Sequence, residues 1–288
     1  MSHPLSPLVS TDSLALHISR PGLRVVDGSW YLPGSGRDPF AEYTEAHIPG
    51  ALFFDVDASS DPTSALPHML PSAAEFAGRM AALGLNDGDT IVVYDGSGVN
   101  LSAARVWWTF RTFGHPDVTV LDGGIGKWRS EGLPLESGPV LLPRGQFTAT
   151  LNRSAVRDLA AMRANIKTKA EQLVDARSGG RFAGVEPEPR PGLRRGHVPG
   201  SLNLPFTELH GADGTMLPPE QLKSRLTHAG VDLSRPVVAT CGSGTSACAL
   251  ILALTVLGYT GTAVYDGAWA EWGASEDTPI EGVDSISS

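Results

Sequence analysis

Short apolar runs alternate with longer segments of helical spacing along most of the chain. Val25-Val26-Asp27, Ile91-Val92-Val93-Tyr94 and Val118-Thr119-Val120-Leu121 read as buried strands, ending in or followed by an acid. Between the first and second of these, Tyr43 to Asp57 reads as a polar turn leading into a buried segment. Ser72 to Leu83 has helical spacing, and Ser72 with Glu75 three residues on makes a capping box. Leu101 to Phe113 reads as a further helix. Strands that alternate with helices predict α/β domains, each built on a mainly parallel sheet flanked by helices.

The pattern then occurs a second time. Leu173-Val174-Asp175 matches the first strand, and Gly196-His197-Val198-Pro199-Gly200 matches Ala46-His47-Ile48-Pro49-Gly50. Val237 to Cys241 matches Ile91 to Asp95, and Ala263 to Gly267 matches Val120 to Gly124. Trp272 lies six residues after Asp266, as Trp128 lies six after Asp122. From the histidine to the residue closing the next strand is 48 residues in one half and 44 in the other. One unit is therefore duplicated. The periodicity fades between Leu133 and Ser154, where Pro and Gly cluster. This predicts an N-terminal domain over 1–138, a linker over 139–153 and a C-terminal domain over 154–288.

The halves differ at one strand end. Val237-Val238-Ala239-Thr240 stops at Cys241, and Gly242-Ser243-Gly244-Thr245-Ser246 follows, all small and uncharged. Ala247 to Leu257 is apolar and long enough for a helix, so the stretch reads as buried strand, tight loop, buried helix. Ligands of parallel sheets bind at the carboxyl ends of strands. The first amides of a helix lack intrahelical partners and carry partial positive charge, and glycines let neighbouring amides turn toward one point. A thiolate placed there is stabilised, as is sulfur attached to it. Cys241 is thus the candidate nucleophile. Cys248, two helical turns on among Ala and Leu, reads as core. Asp95 holds the matching place in the first half, which therefore has no nucleophile.

Composition narrows the partners. A net charge of −9 without a basic run argues against nucleic acid and anionic membrane. Two cysteines make no disulfide framework, and a working thiolate suits a reducing compartment. Residues 1–10 lack the order of a signal peptide, and 247–257 is too short to span a bilayer, so a cytoplasmic location is expected.

The duplicated unit, the HIPGA and GHVPG motifs, the strand-Cys-loop-helix and the LDGG and YDGAWAEW stretches together resemble the rhodanese superfamily, as a tandem-domain sulfurtransferase. The resemblance runs from about Ser6 to Gly273. It implies two rhodanese-like domains with only the second catalytic. The branch acting on thiosulfate carries basic residues after the cysteine; the branch acting on 3-mercaptopyruvate carries a neutral Cys-Gly-Ser-Gly-Val-Thr-Ala loop. This loop is similar to the second, with Thr245 for Val and Ser246 for Thr. The resemblance further implies that Arg181 and Arg190, in Arg181-Phe182-Ala183-Gly184-Val185-Glu186-Pro187-Glu188-Pro189-Arg190, bind the donor's carboxylate and keto oxygen. Loop residues Gly242, Gly244, Thr245 and Ser246 hold the sulfur. Asp57 and His68, from FFDVD and PHMLP, would move protons with Ser243; Asp55 is out of register.

The expectation is sulfur transfer from 3-mercaptopyruvate through a Cys241 persulfide to a thiol acceptor, such as thioredoxin or a small thiol, or to cyanide, releasing pyruvate. No cofactor or metal is expected. Thiosulfate as preferred donor is the nearest alternative, and a non-catalytic sulfur-relay or docking module is a further one. A cysteine phosphatase would need an Arg near Ser246 or Ala247 to clamp phosphate, and the sequence has none there.

Overall fold

The computed structural model describes residues 6–282. The chain separates into two compact units. The first takes the chain up to Pro62, Leu70–Asn152 and His210–Met216. The second takes Thr63–Met69, Arg153–Leu209 and the chain from Leu217 onward. Each unit therefore includes a short segment from the other half of the sequence.

In chain order the first unit holds β1 (Leu8–Val9), α1 (Thr11–His17), β2 (Leu23–Asp27), α2 (Pro39–Glu45), β3 (Leu52–Phe53), α3 (Ala73–Ala82), β4 (Thr90–Tyr94), α4 (Leu101–Thr112), β5 (Val118–Leu121) and α5 (Gly124–Ser130). The second holds β6 (Val156–Arg157), α6 (Leu159–Thr168), β7 (Gln172–Asp175), α7 (Gly179–Ala183), β8 (Leu202–Asn203), α8 (Pro219–His228), β9 (Val237–Thr240), α9 (Ala247–Val256), β10 (Thr262–Tyr265) and α10 (Ala268–Trp272). Each unit has a five-stranded sheet, ordered β1-β5-β4-β2-β3 and β6-β10-β9-β7-β8, and the strands pair in parallel throughout. The register repeats: Val26 pairs with Leu52 as Val174 pairs with Leu202.

The strands expected from sequence are present, within a residue or two at their ends. Ser72 caps α3 in a complete capping box, its hydroxyl accepting from the Glu75 amide and the Glu75 carboxylate accepting from the Ser72 amide. Two short helices depart from the sequence reading. Tyr43 lies in α2, not in a turn, because Asp38 caps the helix and Pro39 starts it. Arg181 lies in α7, a helix the sequence reading did not give, which the Ser178 hydroxyl caps by accepting from the Arg181 amide. The two-residue strands β1, β3, β6 and β8 carry too little periodicity to be read from sequence.

The repeated tryptophans and histidines are structural. Trp128 and Trp272 are buried, and their Nε1 groups donate to Pro134 O at 2.7 Å and Pro279 O at 2.9 Å. His47 and His197 bond by backbone to Glu136 and Glu281, which ties the chain after the last helix to each unit. Residues 139–152 lie in the first unit, with Phe147 buried against Phe76 and Phe110.

After β5 and β10 the chain turns tightly into a helix, through a left-handed Gly123 in the first unit and a right-handed Gly267 in the second. Gly124 has φ +55°, and its counterpart Ala268 has φ +49°. An L side chain in this left-handed region costs about 1–2 kcal/mol, and a glycine there does not. Ala268→Gly is expected to stabilise the protein by about 1 kcal/mol, raising its urea midpoint. An unchanged or lower midpoint would contradict this.

Candidate active site

Cys241 follows directly on β9, at the carboxyl end of a central strand. The loop to α9 turns at Gly244, whose φ is +77°. From the far side α10 holds the loop, since the Trp269 amide donates to Cys241 O at 2.9 Å and the Ala270 amide to Gly242 O at 3.0 Å. Cys241 is 2% exposed, Ser243 5% and Thr245 3%, while Gly242 and Ser246 are half-buried, so the loop meets solvent at those two residues only. Cys248 is buried in α9, its thiol donating to Gly244 O at 3.3 Å.

The first unit carries the same loop with its donors consumed. Asp95 Oδ1 accepts from the Ser97 amide and hydroxyl, at 2.8 and 2.6 Å. Asp95 Oδ2 accepts from the Ser102 and Ala103 amides, both at 2.8 Å. The Gly96 amide donates to Ser29 Oγ, and the Val99 and Leu101 amides to Ser97 Oγ. Here the protein supplies its own anion. Around Cys241 nothing plays that part. Among the described residues, the amides of Gly242, Ser243, Thr245, Ser246 and Ala247 have no acceptor within the protein. Backbone donors shielded from water and left unpaired are costly, and native proteins seldom keep several together without a ligand for them.

His68 reaches this loop. It belongs to the segment Thr63–Met69 that the second unit takes in. Its Nδ1 lies 3.1 Å from Ser243 Oγ and 3.0 Å from Thr245 Oγ1, and the residue is 4% exposed. Its φ is +60°, which is strained for a side chain with a Cβ. The first unit's counterpart segment, His210–Met216, brings Gly214 to its loop with φ +77°. A Cβ on Gly214 would stand 2.3 Å from Gly98 O. The segment facing the inert loop has a glycine at this φ and the segment facing the cysteine loop a histidine, while within the inert loop Asn100 is left-handed, at φ +48°.

Arg181 covers the loop from another side. A Cβ on Gly242 would meet Arg181 Nη2 at 2.8 Å, so the guanidinium lies close against the loop at Gly242. A buried carboxylate fixes it there. Arg181 Nη2 and Nε donate to Glu188 at 2.6 and 3.3 Å, and Arg177 Nη1 donates to Glu188 Oε1 at 2.8 Å. Arg177 also forks onto Asp175 and stacks over Trp269 at 4.4 Å. The side chains of Arg177, Asp175 and Glu188 are 0%, 1% and 2% exposed. Burial works against the Arg177 charge, but Asp175 and Glu188 outweigh it and hold its pKa above the ordinary value. Two arginines and two carboxylates make a neutral cluster, which is what permits its burial.

Of the residues expected from sequence, the structure gathers Cys241, Gly242, Ser243, Gly244, Thr245, Ser246, Arg181 and His68 around one loop. Arg190 lies half-buried two residues beyond Glu188. Asp57 lies in the first unit, its carboxylate accepting from Trp30 Nε1 at 3.1 Å. Arg177 and Glu188 were missed. The signal for them was thin: an arginine two residues after a strand-ending acid, and a glutamate inside the arginine motif.

Residues 10–131 and 158–275 both match the model of the Rhodanese-like domain. The chain belongs to the rhodanese family. It is 47% identical to a 3-mercaptopyruvate sulfurtransferase of Rattus norvegicus, over 87% of this chain and 84% of the relative. It is 45% identical to a thiosulfate sulfurtransferase of Cricetulus griseus, over 92% and 91%. Among solved structures it is similar to SseA from Escherichia coli, reported with the rhodanese fold and the mechanism of 3-mercaptopyruvate sulfotransferases. That match has a TM-score of 0.85 and 41% identity, covering 92% of this chain and 99% of that one. The two rhodanese domains account for the duplicated sheet order.

Removing the carboxylate that two guanidinium groups share has a predictable cost. Glu188→Gln is expected to destabilise the protein by about 3 kcal/mol, read from chemical denaturation. Glu186→Gln, at an exposed position bonded to Ser178, is expected to change stability by less than about 0.5 kcal/mol. Equal effects of the two would show that the buried cluster does not hold the arginine segment.

Proposed function

We propose that this rhodanese is a 3-mercaptopyruvate sulfurtransferase that carries sulfur on Cys241. The observation that supports it most is the set of amides around Cys241 with no acceptor inside the protein. They suit the terminal sulfur of a persulfide, an anion the enzyme makes and discards in each cycle. In the first half-reaction the Cys241 thiolate attacks the sulfur of the donor. The sulfur–carbon bond breaks, its electron pair leaves with pyruvate enolate, and a Cys241 persulfide forms. The proton on the donor thiol passes to the enolate carbon, giving pyruvate. In the second half-reaction an acceptor thiolate takes the outer sulfur and returns Cys241 as thiolate.

Arg181 suits the donor's carboxylate. Glu188 engages Nε and one proton of Nη2, so Nη1 and the other Nη2 proton remain as a fork for a planar anion. Arg190 is proposed as its companion at the keto oxygen. His68 with Ser243 suits the proton transfer, at 3.1 Å. The part expected of Asp57 rests on the family resemblance alone. Acceptors of the thioredoxin or small-thiol kind fit a thiolate-based exchange. Two free cysteines suit a reducing, cytoplasmic setting. Among the described residues no helix is long and apolar enough to cross a membrane.

Thiosulfate is the competing donor, and the loop argues against it. No side chain from Gly242 to Ala247 is charged, so a sulfonate would gain nothing there beyond the amides. Pyruvate release and thiosulfate-dependent thiocyanate formation are to be compared with cyanide as acceptor. The expected result is a higher kcat/KM for mercaptopyruvate, with neither reaction in Cys241→Ser. A preference for thiosulfate, or turnover by the serine variant, would overturn the proposal.

A further inference from the structure

Thr245 puts a second hydroxyl on the histidine. Its Oγ1 lies 3.0 Å from His68 Nδ1, and Ser243 Oγ lies 3.1 Å from the same atom. All three residues are at most 5% exposed, so water cannot easily replace either contact. A buried hydroxyl that loses its partner costs about 1–3 kcal/mol, which favours keeping this geometry through turnover.

The repeat offers an internal comparison. Asp95-Gly96-Ser97-Gly98-Val99 matches Cys241-Gly242-Ser243-Gly244-Thr245, with the serine and both glycines kept. In the first unit Gly214 lies against Gly98 of the loop, and the residue matching Thr245 is Val99. Where the second presents His68, it is Thr245. Threonine and valine have nearly the same shape, so shape does not separate the two loops. What differs at this position is a hydroxyl, and it stands where there is an imidazole to meet it.

We propose that Thr245 is a positioning residue for His68, holding the imidazole jointly with Ser243 in either protonation state of Nδ1. This rests on the reading of the site as a mercaptopyruvate sulfurtransferase and adds to it. A hydroxyl can donate to a bare Nδ1 or accept from a protonated one. With two hydroxyls on one nitrogen, one can donate while the other turns to receive, so Nδ1 keeps a partner in either protonation state. The ring plane is then set before the donor binds and kept when the proton on Nδ1 comes or goes. When the proton leaves the donor thiol, His68 takes it up and passes it to the enolate carbon without a change of rotamer. The backbone amide of Thr245 is kept in any side-chain variant, so removing its hydroxyl is expected to act on the rate of the step and not on donor binding.

Thr245→Val, Thr245→Ala and Thr245→Ser separate the hydroxyl from the bulk. In the full-length protein, kcat for pyruvate release is expected to fall about tenfold in Val and Ala, a part of the 10²–10⁴ that positioned proton transfer supplies. KM is expected to stay within about twofold, and Ser is expected to recover kcat to within about threefold. The ¹⁵N resonance of His68 Nδ1 in the resting protein, assigned with His68→Gln, is expected to move in Val and Ala and to return in Ser. If Val fails to fold, the Ala and Ser pair carries the comparison. Equal kcat in Ala and Ser, a loss confined to KM, or an Nδ1 resonance unmoved in all three would overturn the proposal. A wild type that releases no pyruvate from mercaptopyruvate would instead remove the functional reading, while the resonance would still report on Thr245.

Discussion

What distinguishes the two halves of this chain is the fate of a few backbone amides. Both place a Gly-Ser-Gly loop between a central strand and a helix, and both turn its donors toward the residue closing the strand. In the first half that residue is Asp95, and its carboxylate takes five donors from three residues while two side-chain hydroxyls take the amides of Gly96, Val99 and Leu101. Most donors of that loop are thereby used. In the second half Cys241 brings no carboxylate, so several amides of its loop have no acceptor from the protein. A fold stabilises such an arrangement only if strands, helix and neighbouring loops over-determine it. The parallel sheet, the grip of α10 on the loop carbonyls and the close fit of Arg181 against Gly242 do so here.

The same division of labour extends outward. His68 and Ala268 hold left-handed dihedrals in the second unit, where Gly214 and Gly124 hold them in the first, while in the first unit's own loop Asn100 does so. The buried quartet of Arg177, Asp175, Glu188 and Arg181 belongs to the same economy. Hydrophobic residues of similar volume would pack as well, but they would not leave a guanidinium fork facing the loop.

Much of this was legible in the sequence because it is written in local pattern. Apolar runs gave the central strands, Ser72 and Glu75 gave a helix start, and the duplicated motifs gave two units. Cys241 stood out because a strand, a glycine loop and an apolar helix occur in that order. What was not legible depends on contacts far apart in the chain. Nothing local to His68 says that its segment joins the second unit, 175 residues from the serine it meets. Nothing local to Glu188 says that it is buried between two arginines. The helix carrying Arg181 is five residues long and begins with two glycines, so propensity hid it and only the Ser178 cap explains it. The hydroxyl of Thr245 was visible as a departure from the family loop, but its meaning lay in the imidazole opposite.

The central claim is that sulfur rests on Cys241, covalently bound and held by the loop. Intact mass and peptide mapping after brief exposure to mercaptopyruvate, with acceptor thiols removed, test it most directly. One added sulfur atom is predicted, located on the peptide at Cys241 and lost on adding a thiol. Added sulfur on Cys248, or the same gain in Cys241→Ser, would contradict it.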